Sequence, residues 1–261
     1  MIILLQCILL FIIPKLYSFD HSHKKWSIFL SNYLDNNFMV NYSQIKKDIS
    51  LGKNILSQYL IDLESVSDKE YNSWVKYEKM SYLVNAYNAF TIQLIVSNYP
   101  LNSITDIGGF FWFFNKRPWK MKFFNLLNGK IQTLNTLEND YLRKSNFQDY
   151  RIHAALNCAS ISCPRLRREA YEAINIDIQL DDQMMLWLND NSKNSLEHEN
   201  KVIFLSKIFS WYEDDFITNK SSVLDILEKY KIGQKEQLKN YQLKYMNYNW
   251  GLNDSKRDMK L

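Results

Sequence analysis

The residues best placed to do chemistry fall in one stretch of this 261-residue chain, Arg151-Ile-His-Ala-Ala-Leu-Asn-Cys-Ala-Ser-Ile-Ser-Cys-Pro-Arg-Leu-Arg167. It contains His153, Cys158 and Cys163. Histidine beside a thiol suits nucleophilic catalysis, because imidazole takes the proton and the thiolate attacks a carbonyl carbon. Residues 150–156 (YRIHAAL) read as a strand. On one continuous strand His153 and Cys158 would face opposite sides, about 16 Å apart at ~3.3 Å per residue. A direct dyad therefore needs the strand to end near Leu156 and the loop to fold back, a course that Asn157, Ser160 and Ser162 favour.

A helix is predicted over 164–173, with Pro164 at the first position, where a missing N–H costs nothing. Cys163 then sits at the N-cap, where the helix dipole and Arg165, Arg167 and Arg168 would stabilise a thiolate. Three arginines in a first turn also oppose the dipole, so an anion is expected to balance them, with Arg167 as a binding residue. The rival use of the cysteines is a disulfide. Four intervening residues let a curled loop close it, and an oxidising compartment would form it. A metal site of two cysteines and a histidine finds no fourth ligand at recognisable spacing, and neither a metal nor a cofactor is expected. His198 lies in a polar loop, and His21 and His23 lie beside the N-terminal segment.

Two further clues are polar. Asn85 and Asn88 lie three apart in a strongly apolar helix predicted over 78–98. A buried asparagine without partners costs about 1–3 kcal/mol, so these two either bond neighbouring backbone or line the site that holds His153. Glu138, in a short helix over 136–144, is either the carboxylate that orients His153 or a surface acid.

These residues need elements to position them. The pattern is helical from 21 to 99, where Tyr99-Pro100 stops it, and Ser67-Asp68-Lys69-Glu70 fits a capping box. Asn128-Gly129 between aromatic and apolar runs predicts a hairpin. The aromatic run over 108–114 is either cover for the core or a platform for ligand stacking. Helices follow over 179–190 and 222–230, a helical turn over 206–212 and a strand over 201–205; residues 241–250 could close the sheet. The class expected is α+β, a helical N-terminal half packed on a small, mainly antiparallel sheet, in one globular domain over 20–253 with a frayed tail over 254–261.

Residues 1–13 (MIILLQCILLFII) form an apolar run shorter than the ~20 residues a membrane-spanning helix needs. With Pro14, Lys15 and Ser18 behind it, the segment reads as a secretory signal over 1–18 or an uncleaved anchor. A secreted or periplasmic location follows, with membrane attachment only through this segment. A net charge of +4 is too mild to suggest a nucleic-acid partner, and the sequence names no other. Hydrophobic residues at 46% argue against disorder, while 6 Gly, 4 Pro and 3 Cys argue against turn-rich β architectures and disulfide scaffolds.

Assembled in order, LVNAYNAF (83–90), LNTLENDYLR (134–143), the His153 to Arg167 stretch, WYEDDF (211–216) and YNWGLN (248–253) resemble the domain-of-unknown-function 547 family. The resemblance implies a fold-level kinship with papain- and transglutaminase-like thiol enzymes, and with it a thiol nucleophile at a helix start. Family members usually carry Glu-His where this chain has Glu138-Asn139. Two functions are therefore expected as rivals. One is a thiol-dependent hydrolase or acyltransferase on peptide or amide bonds, using Cys163 or Cys158, His153 and Glu138. The other is a non-catalytic binding module at the envelope or outside the cell, with Cys158 and Cys163 paired.

Overall fold

The computed structural model describes residues 18–53, 55–108, 118–144, 147–217 and 221–256. The N-terminal apolar segment, nearly all of the aromatic run over 108–114 and the end of the tail lie outside them. Five helices come first: α1 (Lys24–Tyr33), α2 (Tyr42–Ser50), α3 (Ile55–Ser65), α4 (Asp68–Ser73) and α5 (Lys76–Asn98). Trp26, Phe29 and Leu30 bury one face of α1, as their spacing requires. Every residue of α5 from Met80 to Ile92 is buried, since its neighbours enclose it on all sides. Ser67 caps α4 by accepting the Glu70 N–H at 3.1 Å. The Glu70 carboxylate does not complete a capping box; it accepts the Phe19 N–H and ties the start of the described chain to α4.

The protein is α+β, and its sheet is mixed rather than mainly antiparallel. β1 (Ser195–Glu197) pairs antiparallel with β2 (Val202–Leu205), and β2 pairs in parallel with β3 (Gln242–Tyr245). Four short helices separate β2 from β3 and supply the crossover that a parallel pair requires. They are α9 (Lys207–Trp211), α10 (Glu213–Phe216), α11 (Val223–Lys229) and α12 (Lys235–Leu238). No helix of the described residues is long and apolar enough to cross a membrane.

Four local expectations are corrected. Residues 150–156 are not a strand: His153 lies on a single helical turn, α7 (Ile152–Ala155). Asp149 starts that turn by accepting the Arg151 N–H at 3.0 Å, and Arg151 binds Asp149 and Asp177 through its guanidinium. Residues 164–172 are not a helix, because side chains elsewhere satisfy their backbone. Asn157 donates to the Pro164 carbonyl, Gln183 to Arg165 and Gln179 to Ala170, while Ser27 accepts the Ala170 N–H. At Asn128-Gly129 the chain reverses through positive φ at Leu127, Asn128 and Gly129, but only Leu126 and Ile131 bridge, so the turn forms without hairpin strands. Asp254 is not frayed; it is buried, bridges Val40 and accepts the Tyr99 hydroxyl at 2.7 Å.

The buried side chains form two clusters. One gathers the N-terminal helices around α5, and the other gathers the sheet with α9 to α11. α7 lies between them, with Ile152 and Ala155 in the first and Ala154 in the second. α8 (Ile176–Leu188) spans the same seam, Leu180 on one side and Met184 and Trp187 on the other.

Among the N-terminal helices His23 is buried, with Nδ1 2.7 Å from the Tyr59 hydroxyl. Burial first, and then neighbouring His21, holds its pKa down at about 3. Unfolded histidine titrates near 6.5 and takes up the proton that folded His23 refuses. Stability is therefore present above pH 6.5 and falls progressively as pH drops toward 3. Urea midpoints should show wild type losing about 2 kcal/mol more than His23→Phe between pH 6.5 and 5. Parallel losses would remove His23 from the acid response.

Candidate functional site

A cavity of about 990 Å³ opens at the seam, and His153, Glu138, Cys158 and Cys163 all line it. Each reaches it from a different piece of chain. Glu138 comes from a π-helix (Leu137–Arg143) that continues α6 (Leu134–Thr136). His153 comes from α7 and the cysteines from the loop that follows it. Tyr212 and Trp211, at the junction of α9 and α10, share the wall with Tyr248 and Trp250 from the C-terminal segment.

His153 is held from two sides. Its Nε2 lies 2.7 Å from Asp215 Oδ2, and its ring stacks on Tyr212 with centroids 4.2 Å apart. Asp215 also receives Arg143, at 2.5 Å from Nε and 3.2 Å from a terminal nitrogen. Partial burial disfavours the charged carboxyl, but hydrogen bonds from His153 and Arg143 outweigh it and hold the Asp215 pKa down at about 2. Asn139, the departure from the family pattern, accepts an Arg143 N–H at 2.5 Å and so supports the same chain of contacts.

Glu138 is therefore not the partner of His153. Its charge acts instead on the hydroxyls of Tyr87 and Tyr212, and burial together with that charge pushes both phenols up. The orienting carboxylate is Asp215, which the sequence reading did not single out. Its signal was present in the WYEDDF segment, where it follows Tyr212 at three residues.

The cysteine loop is pinned on all sides. Asn157 accepts the Ala159 N–H at 2.8 Å and donates to the Pro164 carbonyl at 2.7 Å, drawing the loop closed. Ala159 has a φ of 62°, an uncommon conformation for a residue with Cβ. The C-terminal segment runs alongside: the Gly251 carbonyl accepts the Ile161 N–H at 2.8 Å, and the Ala159 carbonyl accepts the Asn253 N–H at 3.1 Å. Within this frame Cys158 and Cys163 pair as a disulfide, their Cα atoms 6.2 Å apart. The Tyr248 hydroxyl lies 3.2 Å from one sulfur and 3.3 Å from the other, and accepts from Ser160 at 3.0 Å. Burial pushes that phenol up. Because residues 164–172 are not helical, the helix dipole expected to act on Cys163 does not exist. Cys163 is buried, whereas Cys158 is partly exposed.

The remaining site candidates are placed elsewhere. Asn85 donates to the Tyr171 carbonyl at 2.7 Å and accepts its N–H at 3.0 Å. Asn88 does the same for Ala155 and Asn157, both at 2.9 Å. Neither lines the cavity, so the binding role read for them gives way to a scaffolding one: they hold the backbone on either side of the cysteine loop. Arg167 is also outside the cavity, paired with Glu169 and Asp182, and Arg168 donates to the Leu34 and Asp35 carbonyls. The acids and carbonyls of the chain itself thus occupy two of the three arginines expected to receive an anion. Among the described residues no group of three or more His, Cys, Asp or Glu could hold a metal ion.

No curated protein and no solved structure matches the chain. The model of one family, described as a protein of unknown function, DUF547, matches residues 71–188. That span carries Glu138, Arg143, His153 and both site cysteines, whereas Asp215, which bonds His153, and Tyr248, which lines the cavity, lie beyond it. The chain therefore resembles this family, and the matched part supplies most of the residues that line the cavity.

Proposed function

We propose that the cavity is the site of a thiol-dependent hydrolase or acyltransferase acting on amide carbonyls, active once the Cys158–Cys163 disulfide is reduced. The observation that carries this reading is the Arg143–Asp215–His153 chain of contacts, which ends in the cavity that both cysteines line. An ionised Asp215 accepts the Nε2 proton of His153, which leaves Nδ1 as the basic nitrogen. A dithiol reductant supplies two electrons and two protons and leaves two thiols. Cys158, the more exposed, gives its proton to His153, and its sulfur attacks the carbonyl carbon. A C–S bond forms as the C–N bond breaks, and His153 passes the proton to the departing amine. Water or a second amine then displaces the sulfur. A secreted or periplasmic location, with residues 1–18 as signal or anchor, fits a paired disulfide in the resting protein.

The disulfide also favours a second reading, a binding module whose cysteines only hold the loop. Mass spectrometry of the reduced protein with an activated acyl donor separates the two. A stable acyl adduct on Cys158, lost in Cys158→Ser and retained in Cys163→Ser, is the expected result. Labelling that ignores Cys158, or that is equal on both cysteines, would overturn the catalytic reading and leave the binding module.

A further inference from the structure

Glu138 is the buried acid of this cavity, and the step proposed above does not use it. A carboxylate offers about four acceptor positions, and the neighbours that feel the charge of this one include the hydroxyls of Tyr87 and Tyr212. The Arg143 guanidinium feels the charge of Glu138 but is committed to Asp215 and Asn139. Among the described residues no lysine or arginine forms an ion pair with Glu138. The charged side chains that share the cavity with it and His153 are Asp106 and Lys120, both at exposed positions. A carboxylate taken out of water without a cation is costly, and the cost falls when a cation arrives.

The rest of the wall suits the same guest. Trp211 stacks on Trp250 with centroids 5.5 Å apart, Trp119 meets Trp250 edge to face at 5.7 Å, and Tyr248 lies 4.5 Å from Trp250. Aromatic faces attract cations through the ring quadrupole, and tryptophan does so most strongly. An anionic guest would meet Glu138 unscreened, and a neutral one would leave it unpaired. We propose that the cavity selects substrates carrying a cationic side chain, the ammonium of lysine or the guanidinium of arginine, with Glu138 as counter-ion and the tryptophan-rich wall as its box. This names the substrate class for the site and rests on the reading of the cavity as the substrate site.

The test uses the oxidised full chain and needs no free thiol. Tryptophan fluorescence is titrated with the amides of Nα-acetyl-arginine, Nα-acetyl-lysine, Nα-acetyl-norleucine and Nα-acetyl-glutamate. The cationic amides should bind at least about tenfold tighter than the norleucine amide, with the glutamate amide weakest. Glu138→Gln, checked for folding by its unfolding midpoint, should abolish the preference, whereas Lys120→Ala should keep it. Equal affinity for the arginine and norleucine amides in wild type overturns the proposal even if Glu138→Gln fails to fold. A preference that survives Glu138→Gln, or no binding of either cationic amide by about 10 mM, overturns it too. Acylation of Cys158 without cation preference would sink this proposal alone; cation preference without acylation would sink the thiol chemistry alone.

Discussion

In the reduced protein, His153→Ala should slow iodoacetamide alkylation of Cys158 at pH 6 by about a hundredfold. An ordinary thiol titrates near 8.5 and is almost wholly protonated at that pH, whereas a thiolate paired with imidazolium is largely ionised. Asp215 stays charged throughout the profile between pH 5 and 8, because its pKa is held down at about 2. Asp215→Asn should move the rate in the same direction. Its amide would donate to Nε2 and shift the ring proton to Nδ1, removing the base. His198→Ala is the control, since His198 bonds Tyr241 at an exposed position away from the cavity. Equal rates in wild type and His153→Ala would show that His153 and Cys158 do not act together, and the chain of contacts through Asp215 would then be structural.

The largest loss of stability is expected at Asn85, a residue that first suggested binding. Asn85→Leu keeps the branched shape with somewhat bulkier ends, but leaves the buried N–H and C=O of Tyr171 without partners. At about 1–3 kcal/mol for each buried group, urea unfolding should show a loss of about 2–5 kcal/mol. The native state of Asn85→Leu should remain monodisperse at low temperature, because the apolar packing of α5 is untouched. A loss below about 0.5 kcal/mol would mean that residues 164–172 find other partners, and their non-helical path would need another explanation.

That non-helical path shows where reading the chain residue by residue stops. Pro164 with arginines behind it has every local mark of a helix start. What overrides those marks is a set of side-chain donors from Asn157, Gln179, Asn85 and Gln183, the last two of which bond backbone 86 and 18 residues away, beyond any ten-residue window. His153 is a similar case. Its apolar neighbours suit a strand, yet Asp149 and two alanines close a helical turn instead, and the 16 Å separation expected from a strand no longer applies. The hairpin at Asn128-Gly129 kept its turn and lost its strands, since positive φ is a local property and strand pairing is not.

By itself, the sequence determined the helical first half, the α+β class, the resemblance to the DUF547 family and the short list of chemically active residues. Those follow from periodicity and residue type, which act over a few positions. The tertiary structure alone decided which carboxylate serves His153. Asp215 and Glu138 are alike in type and both follow aromatic or apolar neighbours, so only the packing of α10 against α7 distinguishes them. It also decided that Asn85 and Asn88 build the frame and that Cys158 faces Cys163 across a closed loop. A hydrogen bond between residues sixty positions apart depends on where two elements come to rest, and nothing in either segment records that.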